Sequence, residues 1–171
     1  AQKAGAQLVQ GVVMPTVLTF EERSSLASIK AMPRGYPLRG ALRIADAPFD
    51  APRTVTAVPE RGTAWADPRL WSELRLPAGA ELRVGAIQLR VAAVLTYEPD
   101  RGTGFTDLAP RLLINAEDLP ATQLIQPGSR VQYVVLAAGA PEVAAKLDAL
   151  PLPENAKRQS PGDAREEGRS A

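Results

Sequence analysis

The chain has 171 residues, 45% of them hydrophobic, and its 20 basic and 19 acidic side chains leave a net charge of +1. It contains neither histidine nor cysteine, which removes the commonest general base and metal ligand and leaves the redox compartment open. Balanced charge without a basic run argues against a nucleic-acid surface, and no apolar run reaches the roughly 18–20 residues needed to cross a bilayer.

With a mean hydropathy of −0.12, a chain of this length buries roughly two thirds of its unfolded surface, enough for one domain or two small lobes. Leu8–Phe20 is rich in Val, Leu and Thr and reads as a strand interrupted or bent at Pro15. Glu21–Ser24 is a polar turn and Ser25–Met32 a returning strand. In that strand Lys30, between Ile29 and Ala31, reads as an outward-facing lysine. Pro33, Gly35 and Pro37 punctuate the next connection, Leu38–Ile44 alternates apolar and basic residues, and Ala45–Arg53 reads as a proline-rich loop.

Asp67-Pro68 predicts a helix start, because the Asp carboxylate can cap free N–H groups and proline suits the first helical position. Leu70, Trp71 and Leu74 give that helix its apolar face. Gly85-Ala86 folds Glu81–Val84 back onto Ile87–Tyr97, where every odd residue is apolar, so a tight hairpin with one buried face is expected. Arg130–Ala138, apolar on both faces, reads as a central strand. Ala140–Leu150, with Val143, Leu147 and Leu150 on one stripe, reads as a helix ended by Pro151 and Pro153, and the tail from Glu154 is polar.

Thr56–Thr63 (TAVPERGT) is echoed by Thr96–Thr103 (TYEPDRGT). Each copy continues through an aromatic (Trp65, Phe105) and an Asp (Asp67, Asp107) to Pro-Arg-Leu. The echo is either turn chemistry recurring by chance, since Pro-acid-Arg-Gly is good loop material, or two similarly shaped loops leaving equivalent strand ends. Its carboxylates, Glu60 and Asp67 in one copy and Glu98, Asp100 and Asp107 in the other, are the best candidates for acid–base work. Interleaved with Arg61, Arg101, Gly and Pro, they read as solvated turns with local ion pairs. Without His or Cys no nucleophile–base pair can be assembled. Gly102-Thr103-Gly104 lacks the lysine of a phosphate loop, and Glu117-Asp118 and Glu166-Glu167 lack a calcium loop's spacing, so no catalytic residue, cofactor or metal is expected. Phe105, between Gly104 and Thr106 in a charged loop, stands out as an apolar residue that either anchors a partner or touches lipid, or else folds back onto its own domain.

The spacing Leu76-x-x-Gly79-x-x-Leu82-x-x-Gly85 ahead of the Val91–Leu95 strand resembles the extracytoplasmic domain of FtsX/MacB-like ABC transporter permeases. Gly35–Gly40, Tyr97–Gly102 and Ala109–Leu113 resemble its YbbP-type branch in particular. The resemblance implies an α+β fold in two small lobes, one of about 1–58 plus 129–153 and a β-rich one of about 59–128. Residues 154–171 would then lead toward a membrane helix. It further implies a non-enzymatic periplasmic part of an inner-membrane protein that couples ATP-driven motion to the handling of lipid or other hydrophobic cargo. The implied partners are an ABC ATPase subunit and a lysophospholipase/thioesterase-like protein, with Glu98, Asp100, Arg101, Phe105 and Asp107 as the expected contact. A free-standing binding module for a small amphiphile is the alternative, and would need an enclosed apolar cavity of several hundred cubic ångströms.

Overall fold

The computed structural model describes residues 7–101 and 108–138. In chain order they form β1 (Gln7–Phe20), β2 (Arg23–Met32), β3 (Leu42–Ala45), β4 (Arg53–Val55), β5 (Thr63–Ala66), α1 (Pro68–Glu73), β6 (Glu81–Val84) and β7 (Ile87–Tyr97). Then come β8 (Arg111–Asn115), a 3-10 turn (Ala116–Asp118), α2 (Leu119–Thr122) and β9 (Gln132–Ala138). The expected Ala140–Leu150 helix and the polar tail lie outside the described residues.

Strands β7, β5, β8, β2, β1 and β6 hydrogen-bond in that order, and β6 pairs back onto β7, closing a six-stranded barrel. The ring is mixed. β2 and β8 run parallel, as do β5 and β7, while the other neighbours are antiparallel. Its wall joins strands from both expected lobes, β1 and β2 from one and β5 to β8 from the other. Side chains fill the interior, among them Met14, Leu18, Ile29, Leu82, Leu89 and Leu112. Asp67 caps α1 by accepting from the Arg69 N–H at 2.9 Å, as its position predicts. The helix lays Leu70, Trp71 and Leu74 into the same cluster and stoppers the barrel. Each such leucine contributes about 1.5–3 kcal/mol of burial.

A second apolar layer lies outside the wall. Tyr36 from the 33–41 segment and Leu42 and Ile44 from β3 pack on Met32, Trp65, Leu95 and Leu113. The strand reading of Leu38–Ile44 thus holds only for its end, because Leu38–Gly40 belongs to the covering segment. The β6–β7 hairpin forms as expected, with Val84 opposite Ile87. Its single buried face does not persist. Ala64 pairs with Val91 but Trp65 with Ala93, so an extra residue in β7 swaps the faces. Leu89 and Val91 point into the barrel, whereas Ala93 and Leu95 join the outer layer. Tyr97 is half exposed. Pro15 does not interrupt β1, whose pairing with β2 runs unbroken from Val12–Ala31 to Phe20–Arg23.

The pole where β7 begins is here called lower, and the one where it ends upper. Strand directions place the Glu21-Glu22 turn, the start of α1, and residues 98–101 and 108–110 at the upper pole. The β6–β7 turn and the end of the 56–62 loop that enters β5 lie at the lower pole. Gln7 pairs with Ala138, so both ends of the described chain lie side by side at the lower pole. Strand β9 bonds only β1 among the described residues, an edge rather than the central strand its apolar pattern suggests, and Tyr133 and Val135 are exposed on it.

Candidate functional site

The densest polar chemistry among the described residues gathers at the upper pole, where β7 ends and β8 begins. Strands β2 and β8 are parallel neighbours with Ser28 opposite Arg111. Ser28, Lys30 and Arg111 therefore project from the outer face of the wall, beneath the segment that carries Tyr36. Chain leaving β7 folds over them. Lys30 Nζ donates to Glu98 Oε2 at 3.1 Å, to Asp100 Oδ2 at 2.7 Å and to the Tyr36 hydroxyl at 3.0 Å. Arg111 Nε donates to Glu98 Oε1 at 3.0 Å and its Nη1 to Ser28 Oγ at 2.7 Å. The Tyr36 hydroxyl donates to Asp100 Oδ1 at 2.5 Å.

Two cations face two anions in this cluster, and Lys30, Glu98 and Arg111 are all buried. Burial of that kind is tolerated only when every charge is paired and hydrogen-bonded. Burial also pushes the Tyr36 phenol far above its ordinary pKa, and the carboxylates of Asp100 and Glu98 add to the shift. Tyr36 therefore stays protonated and serves as a neutral donor.

A second set of contacts ties the stems of the connection together. Arg101 Nη1 donates to Asp67 Oδ2 at 3.2 Å and Nη2 to the Ala109 carbonyl at 2.9 Å. Arg69 Nη1 donates to the Leu108 carbonyl at 2.7 Å while its Nη2 holds Asp67 Oδ2 at 3.1 Å. The Ser28 N–H donates to the Pro110 carbonyl at 2.8 Å. Burial acts to raise the Asp67 carboxyl, but the hydrogen bonds from Arg69 and Arg101 outweigh it and hold the group below the usual carboxylate range. The helix cap foreseen at Asp67 is thus also the anchor of this loop.

Glu98, expected on a solvated turn, is instead enclosed, and so is Lys30, which faces out of the barrel but into the covering layer. Only the edge of the cluster is open, since the side chains of Asp100 and Arg101 keep 23% and 26% of their surface. Phe105 and Asp107 lie outside the described residues. Sequence reasoning missed Tyr36, Ser28 and Arg111. The available signal was a charge set within an apolar strand at Lys30 and again at Arg111.

The echoed loops do not form a structural pair. Residues 56–62 stand at the lower pole and 98–101 at the upper. Moreover, Pro68-Arg69-Leu70 opens a helix, whereas Pro110-Arg111-Leu112 runs into a strand. Glu60 is exposed, and Asp118 is engaged by the Gly62 N–H at 2.7 Å. No group of three Asp or Glu side chains is placed to hold a metal among the described residues. An open depression of about 620 Å³ at the lower pole is lined by Arg34, Val58, Pro59, Glu60, Asn115 and Glu117, among others. Its mixed polar rim differs from the enclosed apolar cavity that an amphiphile carrier would need. Among the described residues no helix is long and apolar enough to cross a membrane.

Over 133 residues, 78% of its length, the chain is 32% identical to a protein of Escherichia coli (strain K12) named "Uncharacterized ABC transporter permease YbbP". The match spans 16% of that relative's length. No family model and no solved structure matches the chain.

Proposed function

Since this chain belongs to the YbbP-type ABC transporter permeases, we propose that it is their periplasmic domain, of the FtsX/MacB-like α+β kind. In this reading it does no chemistry. It is a stiff body that passes ATP-driven movement of the membrane part to lipid or other hydrophobic cargo, or to a soluble partner.

The observation that carries the proposal is the polarity of the barrel. The ends of the described chain, Gln7 and Ala138, lie side by side at the lower pole, and residues 98–101 and 108–110 are clamped at the opposite one. A body attached at one end and presenting a braced loop at the other suits transmission of motion. The filled interior supports the same reading over a carrier of small amphiphiles. The cytoplasmic ABC ATPase would act through the rest of the permease. A lysophospholipase/thioesterase-like protein is the proposed soluble partner, met at Asp100, Arg101 and the residues up to Leu108.

The chain has no cysteine of its own, which makes placement directly testable. In the full-length permease, with any cysteine elsewhere replaced, Leu108→Cys is expected to react with a membrane-impermeant maleimide added to intact spheroplasts. Labelling only after permeabilisation overturns the periplasmic assignment. For the contact, Phe105→Ala is expected to weaken binding of the partner in calorimetry without moving the melting temperature. A large fall in melting temperature would instead make Phe105 a packing residue.

A further inference from the structure

We propose that the open face of the β1–β9 pair is the docking surface for residues 140–150 of the same chain. The two strands pair with Leu8 opposite Ala137, Gln10 opposite Val135 and Val12 opposite Tyr133. Directly opposed residues of an antiparallel pair share a face, so these side chains line one side of the ribbon. Leu8, Val135 and Tyr133 keep 36%, 58% and 74% of their surface exposed there. The other side is sealed. Val9 and Val13 are buried, Leu136 packs against the outer layer, and a Cβ on Gly11 would collide with the Met32 sulfur. Exposure of a single apolar residue is ordinary, but a contiguous apolar patch on two paired strands marks a contact surface.

The face carries no charged residue, so its occupant has to bring apolar side chains. Outside the described residues the chain has five large ones, Phe105, Val143, Leu147, Leu150 and Leu152. Phe105 belongs to a stretch whose stem is tied at the upper pole, where Arg69 and Arg101 hold the Leu108 and Ala109 carbonyls. The open face runs the other way, from Val12 to the lower pole. That leaves the stretch just after β9.

Its pattern and reach fit. Val143, Leu147 and Leu150 recur at steps of four and three, one stripe of a helix, with Glu142 and Asp148 off it. Pro141 suits the first helical position, and Pro151 and Pro153 end the period. A helix from Pro141 to Leu150 would be about 15 Å long, and the strand from Val12 to Leu8 is about 13 Å. Only Gly139 and Ala140 separate Pro141 from Ala138, which lies at the edge of the face. Through so short a link the segment meets the face at an effective concentration of order millimolar, which favours it over a second copy or a soluble partner. The inference goes beyond the permease reading and does not rest on it.

The chain has no cysteine, so paired cysteines report the contact in the whole protein. Val135→Cys is combined in turn with Val143→Cys, Leu147→Cys or Leu150→Cys and, for comparison, with Ala145→Cys. Oxidation at low protein concentration is followed by non-reducing electrophoresis. At least one stripe pair is expected to close within the chain several times faster than the Ala145 pair. Position 145 lies between Val143 and Leu147 in sequence but on the far side of the helical period. Rates that change smoothly with separation along the chain, as for an undocked tail, overturn the inference. Disulfides formed chiefly between chains also overturn it and make a second copy the occupant.

Discussion

Replacing Glu98 by Gln probes the upper-pole cluster with almost no change of shape. The carboxylate is held by Lys30 at 3.1 Å and Arg111 at 3.0 Å, and all three side chains are 3% exposed or less. The substitution turns two cations against two anions into two against one, inside the protein. Removing one partner of a buried pair costs about 3–5 kcal/mol, since the charge left behind keeps its desolvation penalty. Asp100 still contacts Lys30 from a partly open position, which favours the lower end, about 3 kcal/mol. At about 2–4 °C per kcal/mol for a chain of this size, the melting temperature falls by about 6–12 °C. Urea unfolding followed through Trp65 and Trp71 is the assay, with an unchanged slope against denaturant expected. The Lys30→Met/Glu98→Gln pair restores balance between Arg111 and Asp100. It should lose at least about 1 kcal/mol less than the two single changes added together. A loss below about 1 kcal/mol for Glu98→Gln, or strict additivity in the pair, refutes the claim of a desolvated, mutually dependent cluster.

Gly85→Ala should cost about 2–4 kcal/mol, because a Cβ there would stand 2.1 Å from the Thr122 carbonyl oxygen at φ +58°. Gly62→Ala, at φ +81° with open space around it, isolates the backbone share at about 1 kcal/mol, and equal losses in the two would disprove the steric account. Tyr36→Phe should alter alkaline stability. The unfolded chain gives up the phenol proton above about pH 10 while the folded chain keeps it, so this contribution is complete below that pH and drains away above it, at up to about 1.4 kcal/mol per pH unit. Identical slopes for wild type and variant above about pH 10 would show that the phenol titrates freely. Trp71→Phe should change stability by less than about 1 kcal/mol, since the indole N–H is buried without a partner among the described residues and losing it offsets lost contact area.

What could be read from the sequence is what neighbours along the chain decide. The two-residue hairpin at Gly85-Ala86 and the Asp67 cap each follow from a few adjacent residues, and both are present. The β7 face swap was not legible, because the odd-numbered apolar pattern continues through it. Only the pairing with β5 reveals where the extra residue sits. The edge position of β9 was hidden likewise, since apolar side chains on two faces say nothing about which neighbours a strand finds.

The clamp was the least accessible feature, and the reason is topological. Lys30 and Glu98 are 68 positions apart, Ser28 and Arg111 83. They meet because β2 and β8 run parallel, a pairing that needs a long crossover and leaves no local trace. The sequence does carry the consequence. In an apolar strand a cation must either reach solvent or find an anion, and two such strands, burying Lys30 and Arg111, call for two anions on whatever covers them. Glu98 and Asp100, in the connection between β7 and β8, supply both. The same charges that read as a solvated turn therefore brace the loop from beneath. On the proposed permease reading, partner contact falls to the cluster's open edge at Asp100 and Arg101.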